Sequence, residues 1–230
     1  MRTWMGRGAA LGVALALVAV TPATGVAAPT LLMRWKLAVD MRAYPNHRVL
    51  PSYRGGSAVW SLRRSLSLAR DGNYSLLPTY SATFGAVGIK AWHGNTAKCV
   101  KVPAIGINTT HESLPLCAGH LPADAAFVYP GVARMAVVTW TSPFNGTVTI
   151  SHNAVADVDA TCGDGVSYYV DLGQTELVNA RIANGNAASI APVTQVMSKG
   201  ASLQFLVDPG PNGDNACDAT QLQITVDRIT

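Results

Sequence analysis

The sequence predicts an all-β protein, an antiparallel β-sandwich of jelly-roll type that forms one domain. Two observations lead to this prediction. Short segments of alternating apolar and polar residues recur along the chain, and turns rich in Gly, Asn, Asp and Pro separate them. Many short strands at regular spacing are typical of sandwiches and jelly rolls. No segment after residue 28 shows the apolar period of a helix, so we expect no helix there.

The clearest strand pattern lies in residues 135–151. Apolar and threonine positions alternate on both sides of a turn that contains Pro143 and Asn145-Gly146. The residues on the apolar face are Val138, Trp140, Val148 and Ile150. Period-two alternation with β-branched residues predicts strands buried on one side. We therefore expect a β-hairpin that packs on a core and buries Trp140.

Shorter patterns predict the remaining strands. We expect strands at residues 35–41, 65–69, 86–92, 98–104, 166–172, 176–183, 189–196, 201–208 and 221–229. Residues 109–124 contain two prolines and Gly119, which predicts a loop. No internal repeat or long linker divides the chain.

The first 28 residues have the organisation of a secretory signal peptide. Arg2 and Arg7 precede an uncharged apolar run, residues 9–20, and small residues follow. The run is short for a membrane span, which leaves an uncleaved signal anchor as the alternative. We expect cleavage near residues 25–28, a secreted protein, and a β-sandwich domain over residues 29–230 with no membrane span.

The charge and the cysteine content limit the classes of partner and the cellular compartment that we expect for this protein. After residue 28 the chain keeps 15 basic and 13 acidic residues, a net charge of +2, so nucleic acid is not expected as a partner. The four cysteines, an even number in an exported chain, predict two disulfides. Three pairings are possible. We favour Cys99–Cys117 and Cys162–Cys217, because each cysteine lies in or beside a loop and sequence order favours a local first pair.

Several short segments together carry a family resemblance. They are residues 45–46, 51–53, Trp92, residues 103–108, Tyr129-Pro130-Gly131, residues 138–143, residues 145–148 and residues 163–166. Their order resembles a group of poorly characterised exported bacterial modules, which are similar to galactose-binding-like jelly rolls and carbohydrate-binding modules. Tyr129 stands where the group has a histidine, and the four cysteines are additional. The resemblance implies fold and export, and it carries no activity.

Trp92, His93 and Asn95 form the best candidate for a sugar-binding platform. A tryptophan ring at a strand end can stack on a pyranose face, while neighbouring His and Asn side chains bond hydroxyl groups. The alternative for Trp92 is a core position, because large aromatic side chains usually bury their area. The expected ligand is a glycan or another component of the cell surface.

Two loops carry the candidate metal ligands. One contains Asp157, Asp159 and Asp164, and the other contains Asp208, Asp214 and Asp218. A Cys162–Cys217 disulfide brings these loops together, and oxygen ligands on irregular loops suit Ca²⁺. The alternative is that the aspartates cap turns by accepting backbone N–H bonds. No other cofactor is indicated.

Catalytic motifs do not emerge from the sequence. Glu112 and Glu176 are its two glutamates, and neither lies in a recognisable motif. His111-Glu112 begins a metalloprotease pattern, but Pro115 replaces the second histidine. We therefore expect a non-catalytic protein that binds carbohydrate or a cell-surface component. A structural or protein-interaction module is the second hypothesis, and a small secreted hydrolase is the third.

Overall fold

A computed structural model describes residues 29–52, 57–97 and 99–230. The predicted signal peptide, residues 53–56 and Lys98 lie outside these ranges. Within them, no helix is long and apolar enough to cross a membrane.

The described residues form short strands and one helix, α1 (Leu37–Ala43). The strands of the first half of the chain are β1 (Leu31–Lys36), β2 (Val49–Pro51), β3 (Ala58–Ser65), β4 (Tyr74–Leu76), β5 (Thr79–Ser81), β6 (Ile89–Ala97), β7 (Lys101–Asn108), β8 (Leu114–Leu116) and β9 (Gly119–Leu121). Those of the second half are β10 (Ala126–Tyr129), β11 (Ala136–Thr141), β12 (Gly146–Asp157), β13 (Val166–Leu172), β14 (Thr175–Ile182), β15 (Ala187–Ser189), β16 (Val193–Met197), β17 (Ser202–Asp208) and β18 (Thr220–Ile229).

Two antiparallel sheets pack face to face as a sandwich. The larger sheet has nine strands in the order β15-β12-β18-β10-β7-β6-β5, with β1 also paired to β18 and β16 to β12. The smaller has seven, in the order β14-β13-β17-β11-β3-β2, with β4 also paired to β3. The predicted all-β, antiparallel sandwich is therefore confirmed.

The segment predicted as a hairpin is instead an arch between the sheets. β11 pairs with β3 and β17 in the smaller sheet, whereas β12 pairs with β15, β16 and β18 in the larger one. The predicted facing is correct, because Val138, Trp140, Val148 and Ile150 are all buried. Both strands point their apolar faces into one core from opposite sides. An alternation pattern cannot distinguish this arrangement from a hairpin, because both bury the same residues.

The main core fills the space between the sheets. Its largest fully buried side chains include three tryptophans, Trp35, Trp60 and Trp140. Trp35 meets Trp140 edge to face, with ring centroids 5.3 Å apart, and stacks on Phe144 of the arch at 5.8 Å. Such aromatic contacts add to the stability from buried area. The arch turn is thus fixed from inside by the first strand of the domain.

A second apolar cluster covers the outer face of the larger sheet. Phe127 and Phe84 belong to it, with ring centroids 5.9 Å apart. The small β8–β9 hairpin contributes Leu116 and Leu121, both fully buried. The predicted loop at residues 109–124 therefore contains two short strands, which cover the sheet.

Helix α1 is the largest departure from the sequence prediction, which assigned residues 35–41 to a strand. Leu37 and Met41 lie one helical turn apart and are buried in the main core. Buried Asp40 accepts a 2.8 Å hydrogen bond from Trp60 Nε1. A single short turn of apolar residues produces an alternation that resembles a strand.

Residues 66–69, also predicted as strand, lie after β3 ends, and Leu66 is 63% exposed.

Both predicted disulfides are present. Cys99 pairs with Cys117 at a Cα–Cα distance of 5.6 Å, and Cys162 with Cys217 at 5.5 Å. The first fixes the β8–β9 hairpin to the β6–β7 connection. The second joins the β12–β13 and β17–β18 connections.

Candidate functional site

Trp92 lies on β6, close to where β5, an edge strand of the larger sheet, faces β2, an edge strand of the smaller sheet. Tyr80 is its partner across the β5–β6 pair, and the two ring centroids are 5.4 Å apart. Arg48 directly precedes β2, an edge strand of the smaller sheet, and its guanidinium carbon lies 5.5 Å from the Trp92 ring centroid. We call these three residues the edge cluster. Trp92 packs against the main core but remains partly exposed.

The edge cluster combines flat aromatic rings with hydrogen-bond donors. Arg48 is held in place by a 3.2 Å hydrogen bond from Nη1 to the Leu77 carbonyl oxygen. The Trp92 Nε1–H is buried and has no hydrogen-bond partner among the described residues. Partial burial raises the pKa of the Tyr80 phenol, so it stays a neutral donor and acceptor at physiological pH. A buried unpartnered N–H favours a ligand that offers an acceptor.

The structure separates His93 from Trp92. Successive strand residues face opposite sides of a sheet, so His93 points into the second apolar cluster, where it is 3% exposed and its ring lies 5.6 Å from that of Phe84. Its Nδ1 lies 2.6 Å from the Gly94 carbonyl oxygen. Asn95 is exposed, at an irregular part of the β6–β7 pairing. The surface around Trp92 therefore does not include His93.

Arg48 and Tyr80 are the residues that sequence reasoning missed. Each lies in or beside a three-residue edge strand, and their approach to Trp92 depends on how the two sheets stack. The one local signal was the Thr79-Tyr80-Ser81 alternation. Such a short pattern is too weak to place Tyr80 beside Trp92.

A groove of about 490 Å³ lies between helix α1 and the outer face of the larger sheet. Arg34 donates two hydrogen bonds to Asp227, at 2.7 and 2.9 Å, and His152 Nε2 lies 2.9 Å from Gln223 Oε1. The lining residues are Arg34, Lys36, Ala38, Val39, Ser151, His152, Gln223, Ile224 and Thr225. Among the described residues, the lining of the groove has polar side chains but no Trp, Tyr or Phe.

The Arg34–Asp227 pair predicts a pH dependence of stability. Burial opposes ionisation of Asp227, but the hydrogen bonds from Arg34 and the charges of Arg34 and Lys36 hold its pKa below the usual value. A carboxyl with a lowered folded-state pKa stabilises the fold above its unfolded pKa of about 4 and loses this effect as pH falls through the folded value. We expect Asp227→Asn to be less stable than the wild type at pH 7, with the difference closing below about pH 4. Urea unfolding across this range measures it.

A difference between wild type and Asp227→Asn that stays constant from neutral to acid pH would contradict an ionic origin. Arg34→Gln is the matched variant, because it removes the charged donor and keeps a polar side chain. In that background, Asp227→Asn should show a weaker dependence on pH.

Four of the six predicted metal ligands cap turns, and one of them is Asp159, whose Oδ1 accepts the N–H of Thr161 at 3.4 Å. Asp157 accepts the backbone N–H groups of Asp159 and Gly185, both at 3.1 Å. Asp208 accepts the N–H of Gly210 at 2.8 Å, and Asp214 that of Ala216 at 3.0 Å. The bonds from the residue two positions later are the ones expected of Asx turns, whereas the bond from Gly185 joins two separate loops.

Asp159, Asp164 and Asp218 have buried oxygens without a hydrogen-bond partner among the described residues. Both carboxylate oxygens of Asp218 are in this state, as are Asp159 Oδ2 and Asp164 Oδ1. Burial, followed by the charges of Asp157, Asp164 and Asp214, raises the pKa of Asp218 to about 9, against an opposing effect of Arg181. In the described ranges no three His, Cys, Asp or Glu side chains form a metal-ligand group. Carboxylates alone therefore do not make a complete coordination shell.

Comparison with known proteins gives low-level structural similarity. No protein-family model and no curated protein matches the chain. A solved structure of CBM51 from Clostridium perfringens GH95 with methyl-galactose is 11% identical over 48% of this chain and 73% of its own, with a TM-score of 0.34. The M60 catalytic domain with CBM51-1 and CBM51-2 of Clostridium perfringens ZmpB is 9% identical over 66% of this chain and 19% of its own, with a TM-score of 0.35.

A third structure holds CBM51-2, in complex with GlcNAc, and INT domains of the same ZmpB. It is 12% identical over 78% of this chain and 36% of its own, with a TM-score of 0.35. This chain thus spans well under two thirds of both ZmpB structures. We therefore infer function from the residues of the surface itself.

Proposed function

We propose that this protein is a secreted, non-catalytic β-sandwich protein that binds carbohydrate at the edge cluster. One observation carries the proposal: the partly exposed Trp92 ring stands beside Tyr80 and Arg48 at an open edge of the sandwich. Recognition sites for small molecules combine apolar or aromatic surface with a few placed polar groups. The aromatic rings offer contact to the C–H face of a pyranose, and Arg48 offers donors to its oxygens.

The glutamates support a binding function over hydrolysis. A glycosidase of the common type needs two carboxyl groups that face one scissile bond. Glu112 is exposed in the loop before β8 of the small hairpin. Glu176 lies on β14 at an edge of the smaller sheet, where its Oε2 accepts a 2.5 Å bond from Arg70. The two glutamates therefore lie on different layers of the molecule.

A glycan-array screen followed by calorimetric titration tests the proposal. Trp92→Ala and Tyr80→Ala should each lower affinity for the selected glycan by about tenfold or more, the equivalent of roughly 1.4 kcal/mol for a lost aromatic contact. Because Trp92 also packs on the core, Trp92→Phe serves as a second variant, and thermal unfolding monitors folding. Phenylalanine keeps an aromatic ring but lacks the indole N–H. The loss of glycan affinity in Trp92→Phe should therefore be smaller than in Trp92→Ala.

Tyr169→Ala is the matched control. Tyr169 is also a partly exposed tyrosine beneath an arginine, with the Arg70 carbon 4.2 Å from its ring centroid, but it lies on the smaller sheet. Its replacement should leave glycan affinity unchanged. Binding that survives Trp92→Ala and Tyr80→Ala in folded protein, or is lost equally in Tyr169→Ala, would contradict the assignment of the edge cluster.

A further inference from the structure

The two loops joined by Cys162–Cys217 form a distinctive acidic end of the sandwich. We call them the paired loops, residues 157–165 and 208–218, and their Cα atoms at the disulfide lie 5.5 Å apart. Together they contain six aspartates and no Lys, Arg or His. Arg181 of β14 approaches from outside, with its Nη2 3.6 Å from Asp164 Oδ2. An excess of negative charge is therefore concentrated between two covalently joined segments.

Several buried oxygens in and beside the paired loops have no hydrogen-bond partner. Asp218, Asp159 and Asn215 are each 0% exposed. The unpartnered atoms are both carboxylate oxygens of Asp218, Asp159 Oδ2, Asp164 Oδ1, Asn184 Oδ1 and Asn215 Oδ1. Leaving such groups buried and unsatisfied costs free energy, most of all for a carboxylate. Every one of these atoms is an acceptor, so a positively charged partner suits those that it reaches.

Local backbone geometry also brings main-chain atoms close to Asp218. Gly163 has a φ of +89°, and a Cβ added to it would lie 2.3 Å from the Ala216 carbonyl oxygen and 3.4 Å from Asp218 Oδ1. Only glycine fits without a clash, because the two loops approach each other at this point. Asn215 is fixed from another direction, since its Nδ2 donates a 3.2 Å bond to the Pro130 carbonyl oxygen. The Asp218 carboxylate thus lies in a crowded environment rich in oxygen atoms.

We infer that the paired loops bind one Ca²⁺ ion through Asp218 and Asp164, with further ligands drawn from Asn215 and main-chain carbonyl groups. Ca²⁺ accepts six to eight oxygen ligands of mixed type in irregular geometry. A mixed set agrees with the lack of a three-carboxylate group among the described residues. The smaller Mg²⁺ demands near-ideal octahedral geometry and keeps several waters, so it suits these loops less well. The ion neutralises the buried charge and holds the two loops together beside their disulfide.

Thermal unfolding and calorimetry on the oxidised, EDTA-treated full-length protein test this inference. Ca²⁺ should raise the melting temperature saturably, because a ligand of the native state stabilises it by mass action. We expect a dissociation constant of about 1 mM or below, as in extracellular calcium sites. Mg²⁺ at the same concentration should produce a much smaller shift.

Asp218→Asn and Asp208→Asn form the matched pair of variants. Asp218→Asn keeps the side-chain shape and should weaken Ca²⁺ affinity by about tenfold or more, while the melting temperature without Ca²⁺ stays at or above that of the wild type. Asp208→Asn changes a turn cap in the same loops and should keep the Ca²⁺ response. Asp164→Asn, at a partly exposed position, is the second ligand variant and should weaken Ca²⁺ binding.

Three results would overturn the inference. The first is a wild-type melting temperature that does not change with Ca²⁺ up to about 10 mM, well above the affinity of extracellular sites. The second is an unchanged Ca²⁺ response in Asp218→Asn. The third is an equal loss of response in Asp208→Asn, which would indicate general charge screening. None of these measurements involves glycan binding, so this inference and the proposed function can fail independently.

Discussion

Replacing Trp140 with alanine is expected to lower the free energy of unfolding by about 3–5 kcal/mol, the usual cost of removing a large aromatic side chain from a core. Trp140 is fully buried near the end of β11, directly opposite Trp60 on β3 and Leu203 on β17. Its ring also contacts Trp35, whose own ring stacks on Phe144 of the arch. The substitution therefore removes area from both sheets and leaves a cavity between them. Urea unfolding followed by circular dichroism measures the change.

Val196→Ala is the control for Trp140→Ala. Val196 is 79% exposed on strand β16, so its replacement should change stability by no more than about 0.5 kcal/mol. Trp140→Phe should cost less than Trp140→Ala, because it keeps an aromatic ring and removes an indole N–H that has no hydrogen-bond partner. A cost below about 1 kcal/mol for Trp140→Ala would contradict the burial of this residue between the sheets.

Removing the Cys162–Cys217 disulfide is expected to destabilise the protein by roughly 4 kcal/mol. The bridge closes a loop of 55 residues, and the chain-entropy argument relates stabilisation to the logarithm of that length. The shorter Cys99–Cys117 bridge, with a separation of 18, should contribute about 3 kcal/mol by the same relation. Denaturant unfolding of the two double Cys→Ser variants, each with the other bridge intact, measures both values.

The comparison of the two bridges is internally controlled, since each variant removes one disulfide and replaces two cysteines by serine. Peptide mapping without reduction verifies which cysteines remain joined. A loss of under about 1 kcal/mol for the Cys162→Ser/Cys217→Ser variant would show that the 55-residue loop is restrained by other contacts, against the role assigned here to the bridge.

The fold class was predictable because burial on one side of a strand leaves a period-two trace. The apolar faces of β11 and β12 were placed correctly from this trace. Their partners were not, because pairing depends on residues far away in sequence and on how two sheets stack. Helix α1 was missed because two of its buried residues, Leu37 and Met41, make one short helical turn. Such a turn is too brief for the helical period to emerge.

The candidate site was predictable only in part. Trp92 could be selected from the sequence as an aromatic residue near a strand end, but the approach of Arg48 and Tyr80 comes from the meeting of two sheet edges. The grouping of Trp92 with His93 ignored that adjacent strand residues face opposite sides. Of the two alternatives weighed for the aspartates, turn capping is seen at Asp157, Asp208 and Asp214, whereas metal binding stays a prediction.

An NMR titration of the indole N–H groups with the glycan selected on the array tests the central proposal most directly. After residue 28 the chain has four tryptophans, and Trp35, Trp60 and Trp140 are each at most 2% exposed. Trp92→Phe identifies the Trp92 signal by its disappearance. Binding at the edge cluster predicts a saturable shift of the Trp92 indole signal while the other three stay in place. The proposed site would be contradicted if the Trp92 signal stayed unchanged while the signals of His152 and Gln223, which line the groove beside helix α1, shifted instead.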